Sequence, residues 1–300
     1  MRTFPLAALV GAALLLTACG AQTTSARGDA DRHCPSASPL PSGAAGLSEG
    51  GVRITSFAGA AVAGGGCPAA EAAATYEVTN DARTPMTYTV ALGFRSASDG
   101  AVDVVTQTVA GVRPGQTVRR TVRPDQLPSA APAVTGVEIS KVRGVPAAEA
   151  PSQGGPCPRS GVRVYADQGD AAMGLRAVGL HLENCGTGVY RLDGYPELRL
   201  LGEDRTPVTG VRVQHGGDGI SSGTGADATP VPLALKPGEA ARATLTWRNT
   251  TGSGDPVNAP YVRVHAKPGA DPVTVTPELD LGTTGRLGVG AWQRADAGTP

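Results

Sequence analysis

"AVGLHLENC", Ala177–Cys185, places Val178, Leu180 and Leu182 on one side of the chain and Gly179, His181 and Glu183 on the other. A period of two is the spacing of a half-buried strand, because successive side chains leave a strand on opposite faces. The stretch continues as "GTGVYRLDGYPELRLL" to Leu201, where a second alternating run follows Gly194-Tyr195-Pro196. A reactive cysteine needs a base or a cation to hold its thiolate. Cys185 has asparagine on one side and glycine on the other. The segment therefore reads as a stapled bend, with the Tyr195 ring packed inward and Pro196 setting the entry to the next strand.

The same grammar extends in both directions. Toward the N-terminus it gives six short runs: "VRITSF", "TYEVTN", "TYTVALGF", "VDVVTQTV", "TVRRTV" and "VTGVEISKV". In "TYTVALGF", Tyr88, Val90, Leu92 and Phe94 share a face. In "TYEVTN", Tyr76 and Val78 do. Turn residues such as Asn80, Gly100 and Pro114-Gly115 punctuate the runs. Toward the C-terminus, "ATLTW" aligns Ala243, Leu245 and Trp247, and "VTVTPELDL" aligns Val273, Val275, Leu279 and Leu281 around Pro277. Proline cannot donate to a ladder, so Pro277 marks an edge or a bulge. No window after residue 18 has helical apolar periodicity. The expected fold is all-β: two tandem immunoglobulin-like antiparallel β-sandwich domains.

The halves echo each other. "VRPGQTVRRTV" (112–122) and "LKPGEAARATLTW" (235–247) each feed a strand from a Pro-Gly turn, and both follow a strand ending in asparagine, at Asn80 and Asn184. "VPAAEAPSQGGP" (145–156) breaks the periodicity between them.

The N-terminus carries an address. Arg2 precedes an apolar run, Pro5 to Leu16, shorter than the roughly 20 residues a bilayer span needs. Leu16-Thr17-Ala18-Cys19 then resembles a bacterial lipobox, which implies cleavage before Cys19 and a lipid on its thiol. Residues 20 to 48 are mostly small and polar and read as a tether. The expected layout is a lipoprotein signal peptide over 1–18, a lipidated N-terminus and tether over 19–48, a first sandwich over 49–145, a linker over 146–156, a second sandwich over 157–294 and a tail over 295–300. Membrane contact is expected through the lipid on Cys19, on the outer face of the cell membrane.

An exported chain permits disulfides. Cys34, Cys67, Cys157 and Cys185 allow three pairings. Neighbour pairing, Cys34–Cys67 and Cys157–Cys185, is preferred because the Pro/Gly stretch separates the halves. None of the cysteines has zinc-site spacing, so no metal is expected.

"LHLENCGTGVYRLDGYPELRLL" (180–201) with "PLALKPGEAARATLTWRN" (232–249) resembles a bacterial secreted and lipoprotein family called domain of unknown function 4232. The resemblance covers roughly Cys157 to Trp292. One departure is the second cysteine. The family usually places it just before the Gly-Tyr-Pro turn, where this chain has Tyr190 to Asp193, and here it lies earlier, at Cys185. Together with the Ala/Gly/Pro-rich composition, the resemblance implies an actinobacterial-type secreted lipoprotein. It lends a fold and a compartment and no catalytic residues.

Chemistry is sparse. Zero formal net charge leaves no footprint for nucleic acid. Gly219-Ile220-Ser221-Ser222-Gly223 matches G-x-S-x-G, with Asp255 and His265 following in order. A nucleophile elbow needs a strand before its serine and a helix after it, and neither "QHGGD" nor "TGADATP" supplies one. His181 and His265 fall on polar strand phases and are expected in solvent, as is the turn pair Glu203-Asp204. Trp247, in phase with Leu245, is expected in the core, and Trp292, in a Gly-rich tail, is the candidate binding aromatic. No cofactor is expected. The leading expectation is a non-catalytic binding or structural module, not an enzyme, whose partner is a cell-wall polymer or another envelope protein. A small-ligand or metal-ion carrier comes second and an envelope hydrolase third.

Overall fold

The computed structural model describes residues 38–40, 46–60, 71–125, 127 and 131–295. Cys19, Cys34 and Cys67 lie outside the described residues, and so do the signal peptide and most of the tether. Among the described residues the chain is all-β, its one helical element being the 3₁₀ turn Ala147–Glu149.

Two hydrophobic clusters with no residue in common organise it, one drawn from residues 47–142 and the other from 162–292. The first lies between two sheets. One contains Val52–Ala58, Ala73–Thr79 and Thr117–Val122, and the other orders Ala101–Val112, Met86–Ser96 and Val134–Pro146. All six expected runs are strands, and Tyr76, Val78, Tyr88, Val90, Leu92 and Phe94 all face inward. The tether ends earlier than expected. Ser38 and Pro39 pair with Phe57 and Ser56, the Leu40 amide donates to Thr55, and Leu47 enters the core. Two isolated leucines have no period, so nothing in the composition separates them from the tether.

In the second unit, Leu175–Asn184 pairs antiparallel with Ala240–Arg248, setting Val178 opposite Leu245 and Leu180 opposite Ala243. Both strands present apolar faces to a second sheet of Glu197–Leu201, Tyr261–His265 and Pro272–Val275, where Leu200, Val262, Val264 and Val275 are buried. Trp247 is buried as its phase requires, and its indole N–H donates to Asp280. One pair departs from the antiparallel expectation: Arg212–His215 runs parallel to Arg286–Val289. Such pairing needs a long crossover, which the intervening sheets provide. At Pro277 the chain breaks between Pro272–Val275 and Leu279–Asp280, and Glu278 adopts φ +55.

The echo between the halves is a shared corner. Asn80 and Asn184 are both buried. Each Nδ2 donates to the carbonyl four residues on (Thr84, Gly188) and to the residue that ends the strand before the Pro-Gly turn (Val112, Leu235). Each Oδ1 accepts the amide two residues on, from Ala82 and Gly186. Each backbone carbonyl accepts the turn glycine, Gly115 or Gly238. The repeat is therefore in the hydrogen-bond pattern as well as the letters.

Candidate functional site

Cys157 and Cys185 form a disulfide with Cα atoms 5.6 Å apart. It joins the segment entering strand Val162–Ala166 to the end of Leu175–Asn184, beside the bond from the Gly186 amide to the Gly161 carbonyl. Gly194 takes φ +79, which only glycine adopts without strain, and its carbonyl accepts the Trp292 amide. The opening stretch is a stapled bend.

Trp292 is not an exposed binding aromatic. It is 1% exposed, and its indole N–H donates to the Ala266 carbonyl. The Gly-rich context suggested a loose tail, but residues 286–289 form a strand that carries it into the core. Tyr195 is half-buried and stacks on His215, with ring centroids 3.8 Å apart. His181, expected in solvent, stacks on Tyr165 and bonds through Nε2 to Asp167 at 2.9 Å. His265 bonds through Nδ1 to the Ala270 carbonyl. Ser221 Oγ donates to the carbonyl of Ser222, and among the described residues no hydrogen bond joins Ser221, Asp255 and His265. A four-residue strand and turns, without a helix, flank Ser221.

The most developed polar constellation lies where the two cores meet, and no sequence expectation assigns it a role. Arg143, on the last strand of the first unit, has a side chain only 12% exposed. Its Nε and Nη2 donate to Glu278 at 2.6 and 2.8 Å, and its Nη1 and Nη2 to Glu203 at 3.2 and 3.1 Å. The Glu278 hydrogen bonds hold this guanidinium more firmly protonated than usual, against the opposing effect of burial. Glu149, in the expected linker, accepts Arg263 Nε at 3.0 Å, Arg263 Nη2 at 2.6 Å and Thr274 Oγ1 at 2.8 Å. The linker is thus pinned where the Pro/Gly-rich composition suggested freedom.

Between these clasps lies a cleft of about 330 Å³ with Val145, Pro146, Leu201 and Pro207 in its walls and Arg199, Arg205, Arg263 and Tyr261 among its polar lining. Arg205 and Arg143 both approach the buried Tyr261 ring, with guanidinium carbons 5.7 Å from its centroid. Arg143 and Arg263 are paired with carboxylates. Among the described residues no hydrogen bond or ion pair engages the side chains of Arg199 or Arg205. Arg205 has φ +61 in the turn Gly202–Thr206, braced by Asp204 Oδ1, which accepts the Thr206 amide at 3.0 Å. Those bonds from Thr206 hold the Asp204 carboxyl below its usual range. Gly144 lets the arginine in: a Cβ there would meet Arg205 Nη2 and the Tyr88 ring at 3.1 Å. Non-glycine residues in left-handed conformations persist where their surroundings enforce them. Four occur among the described residues, and two of them, Arg205 and Glu278, sit at the junction.

Residues 157–293 match the model of a family described as "Domain of unknown function (DUF4232)". The second unit carries this domain. The match covers nearly the stretch over which the sequence resembles this family, Cys157 to Trp292, and the matched segment contributes Arg199, Arg205, Tyr261 and Arg263 to the cleft. The first unit lies outside the match and contributes Gly144, Val145 and Pro146, with Glu149 from the 3₁₀ turn that follows. No curated protein matches the chain.

Proposed function

We propose that this chain is a lipid-anchored cell-envelope protein without catalytic activity, which binds an oxyanion-bearing ligand in the cleft between its two units. The observation that carries the reading is the contrast among the junction arginines: Arg143 and Arg263 are spent on carboxylates, while Arg199 and Arg205 line the cleft without one. A guanidinium presents a planar fork of donors that fits carboxylate or phosphate. The cleft volume is at the small end of the range for ligand sites, and its apolar walls suit the body of a small group or one unit of a polymer. Anchoring rests on Cys19 in its lipobox setting. A lipid there places the cleft outside the cell membrane, where an anionic wall polymer or an acidic segment of another envelope protein is the partner class.

The reading is tested by titrating the processed, detergent-solubilised chain with glycerol 3-phosphate and with glucuronate while following amide shifts of Gly144, Leu201 and Thr206. Saturable shifts that disappear in the Arg199→Gln/Arg205→Gln double variant support it. Unchanged spectra with both probes, or labelling of Ser221 by a fluorophosphonate, overturn it. The anchor is tested separately: Cys19→Ala should shift the protein from the membrane fraction to the soluble fraction or leave it unprocessed.

A further inference from the structure

The long edge strands of the first unit are protected unequally. Thr117–Val122 carries Arg119 and Arg120. Val134–Pro146 carries Glu138, Lys141 and Arg143, and the Ile139 amide is taken by the Gly46 carbonyl. Charges and covering segments of this kind stop sheet edges from pairing with other chains. Ala101–Val112 has them only near its start, where Asp103 accepts the amides of Val104 and Asp125. It pairs on one side with Met86–Ser96, and among the described residues no strand pairs with its other side. From Val104 to Val112 it has no charge and no proline. Val104 is 52% exposed, and Thr106, Gln107, Thr108 and Ala110 are exposed with it. Register shifts toward both ends leave the ladder regular from Asp103 to Val109.

Within that regular run, Val105-Thr106-Gln107-Thr108-Val109 reads the same in both directions. A palindrome of strand residues is self-complementary under an antiparallel twofold. With the axis at Gln107, Val105 lies opposite Val109 of a second copy, Thr106 opposite Thr108, and Gln107 opposite itself. Val105 and Val109 already face the core, so this register joins inner face to inner face and outer face to outer face. A shift of one residue would turn one copy's core face outward. The threonine pairs repeat a contact the molecule already uses within its other sheet, where Thr75 meets Thr121 at 3.3 Å and Thr79 meets Thr117 at 2.9 Å between hydroxyl oxygens. We propose that two copies of this chain pair edge to edge through Val105–Val109, joining their three-stranded sheets into one of six strands. The partner class is a second copy, because the symmetry of the segment selects itself over an arbitrary strand.

Gln107→Cys places a thiol on the proposed axis. The full chain carrying it, treated with a short bis-maleimide, should give a crosslinked dimer well above the wild-type background and above Arg119→Cys on the charged edge. Adding Thr106→Lys and Thr108→Lys sets lysine opposite lysine twice and should cut the crosslink about tenfold. Both threonines are solvent-exposed, so circular dichroism and melting of the charged variant should match the parent and separate lost pairing from lost folding. Equal yields at Gln107→Cys and Arg119→Cys, or a yield indifferent to the lysines in a folded protein, would overturn the proposal.

Discussion

Asn80 and Asn184 share one set of hydrogen bonds at equivalent corners of the two cores, each linking a strand end to the strand before a Pro-Gly turn, and Asn80 Oδ1 accepts the Tyr88 hydroxyl in addition. A buried amide with every partner in place stabilises. Removing it leaves backbone carbonyls without donors in a water-poor corner, at about 1–3 kcal/mol per unsatisfied group. Asn80→Ala and Asn184→Ala should each lower the unfolding free energy of their own unit by about 2–4 kcal/mol. Chemical denaturation followed by hydrogen exchange should assign each loss to the unit that carries the change.

Arg143 should control how the two units are held. Glu278→Ala leaves a mostly buried guanidinium with the exposed Glu203 as its one carboxylate and the Val142 carbonyl as its other acceptor. Partial exposure of the carboxylate moderates the cost to about 1–3 kcal/mol. The larger effect should be on geometry: small-angle scattering should report a wider distribution of inter-unit separations for Glu278→Ala than for wild type.

Reducing the Cys157–Cys185 bridge frees a loop with a sequence separation of 28. The chain-entropy model puts this at about 3–4 kcal/mol. Cys157→Ser/Cys185→Ser should therefore melt well below wild type in the second unit, with the first unit unchanged.

Acid should weaken the second unit partly through Asp167. Burial raises this carboxyl's pKa, but hydrogen bonds from His181 and the Gly179 amide outweigh it, and the net shift is downward. A carboxyl depressed in the folded state contributes stability that is present above its unfolded value, about 3.9, and is lost as pH falls through the folded value. Glu77, Asp204 and Glu239 are also lowered and act with the same sign. Urea unfolding at pH 7 and pH 3 should show a smaller pH difference for Asp167→Asn than for wild type.

The strands were legible because alternation is a local signal. "TYTVALGF" and "LHLEN" give their inward faces from spacing alone, and Pro277 marks its own break. The Pro-Gly turns and the two asparagines could be matched by eye, although only coordinates reveal that the bonds match as well. The junction was not legible. Arg143, Glu203 and Glu278 lie far apart in the chain, and although the turn pair Glu203-Asp204 is exposed as its setting suggests, nothing local shows that a guanidinium from the first unit reaches Glu203. Glu149 was hidden in a segment whose composition suggested slack. The burial of Trp292 is not visible in the sequence, because glycines near a terminus resemble a tail whether or not a strand runs through them.

Whether the exposed Arg205 at the cleft meets an oxyanion is tested most directly by Arg205→Gly. Glycine adopts the φ +61 of this turn without strain, so the substitution removes the guanidinium while relieving the backbone. Relief of the left-handed conformation, about 1 kcal/mol, is offset by the added freedom of glycine in the unfolded chain, so the melting temperature should barely move. Calorimetric titration with glycerol 3-phosphate should show affinity reduced by about tenfold or more, the cost of losing a charge-assisted hydrogen bond. Undiminished affinity in a folded Arg205→Gly protein would contradict the account.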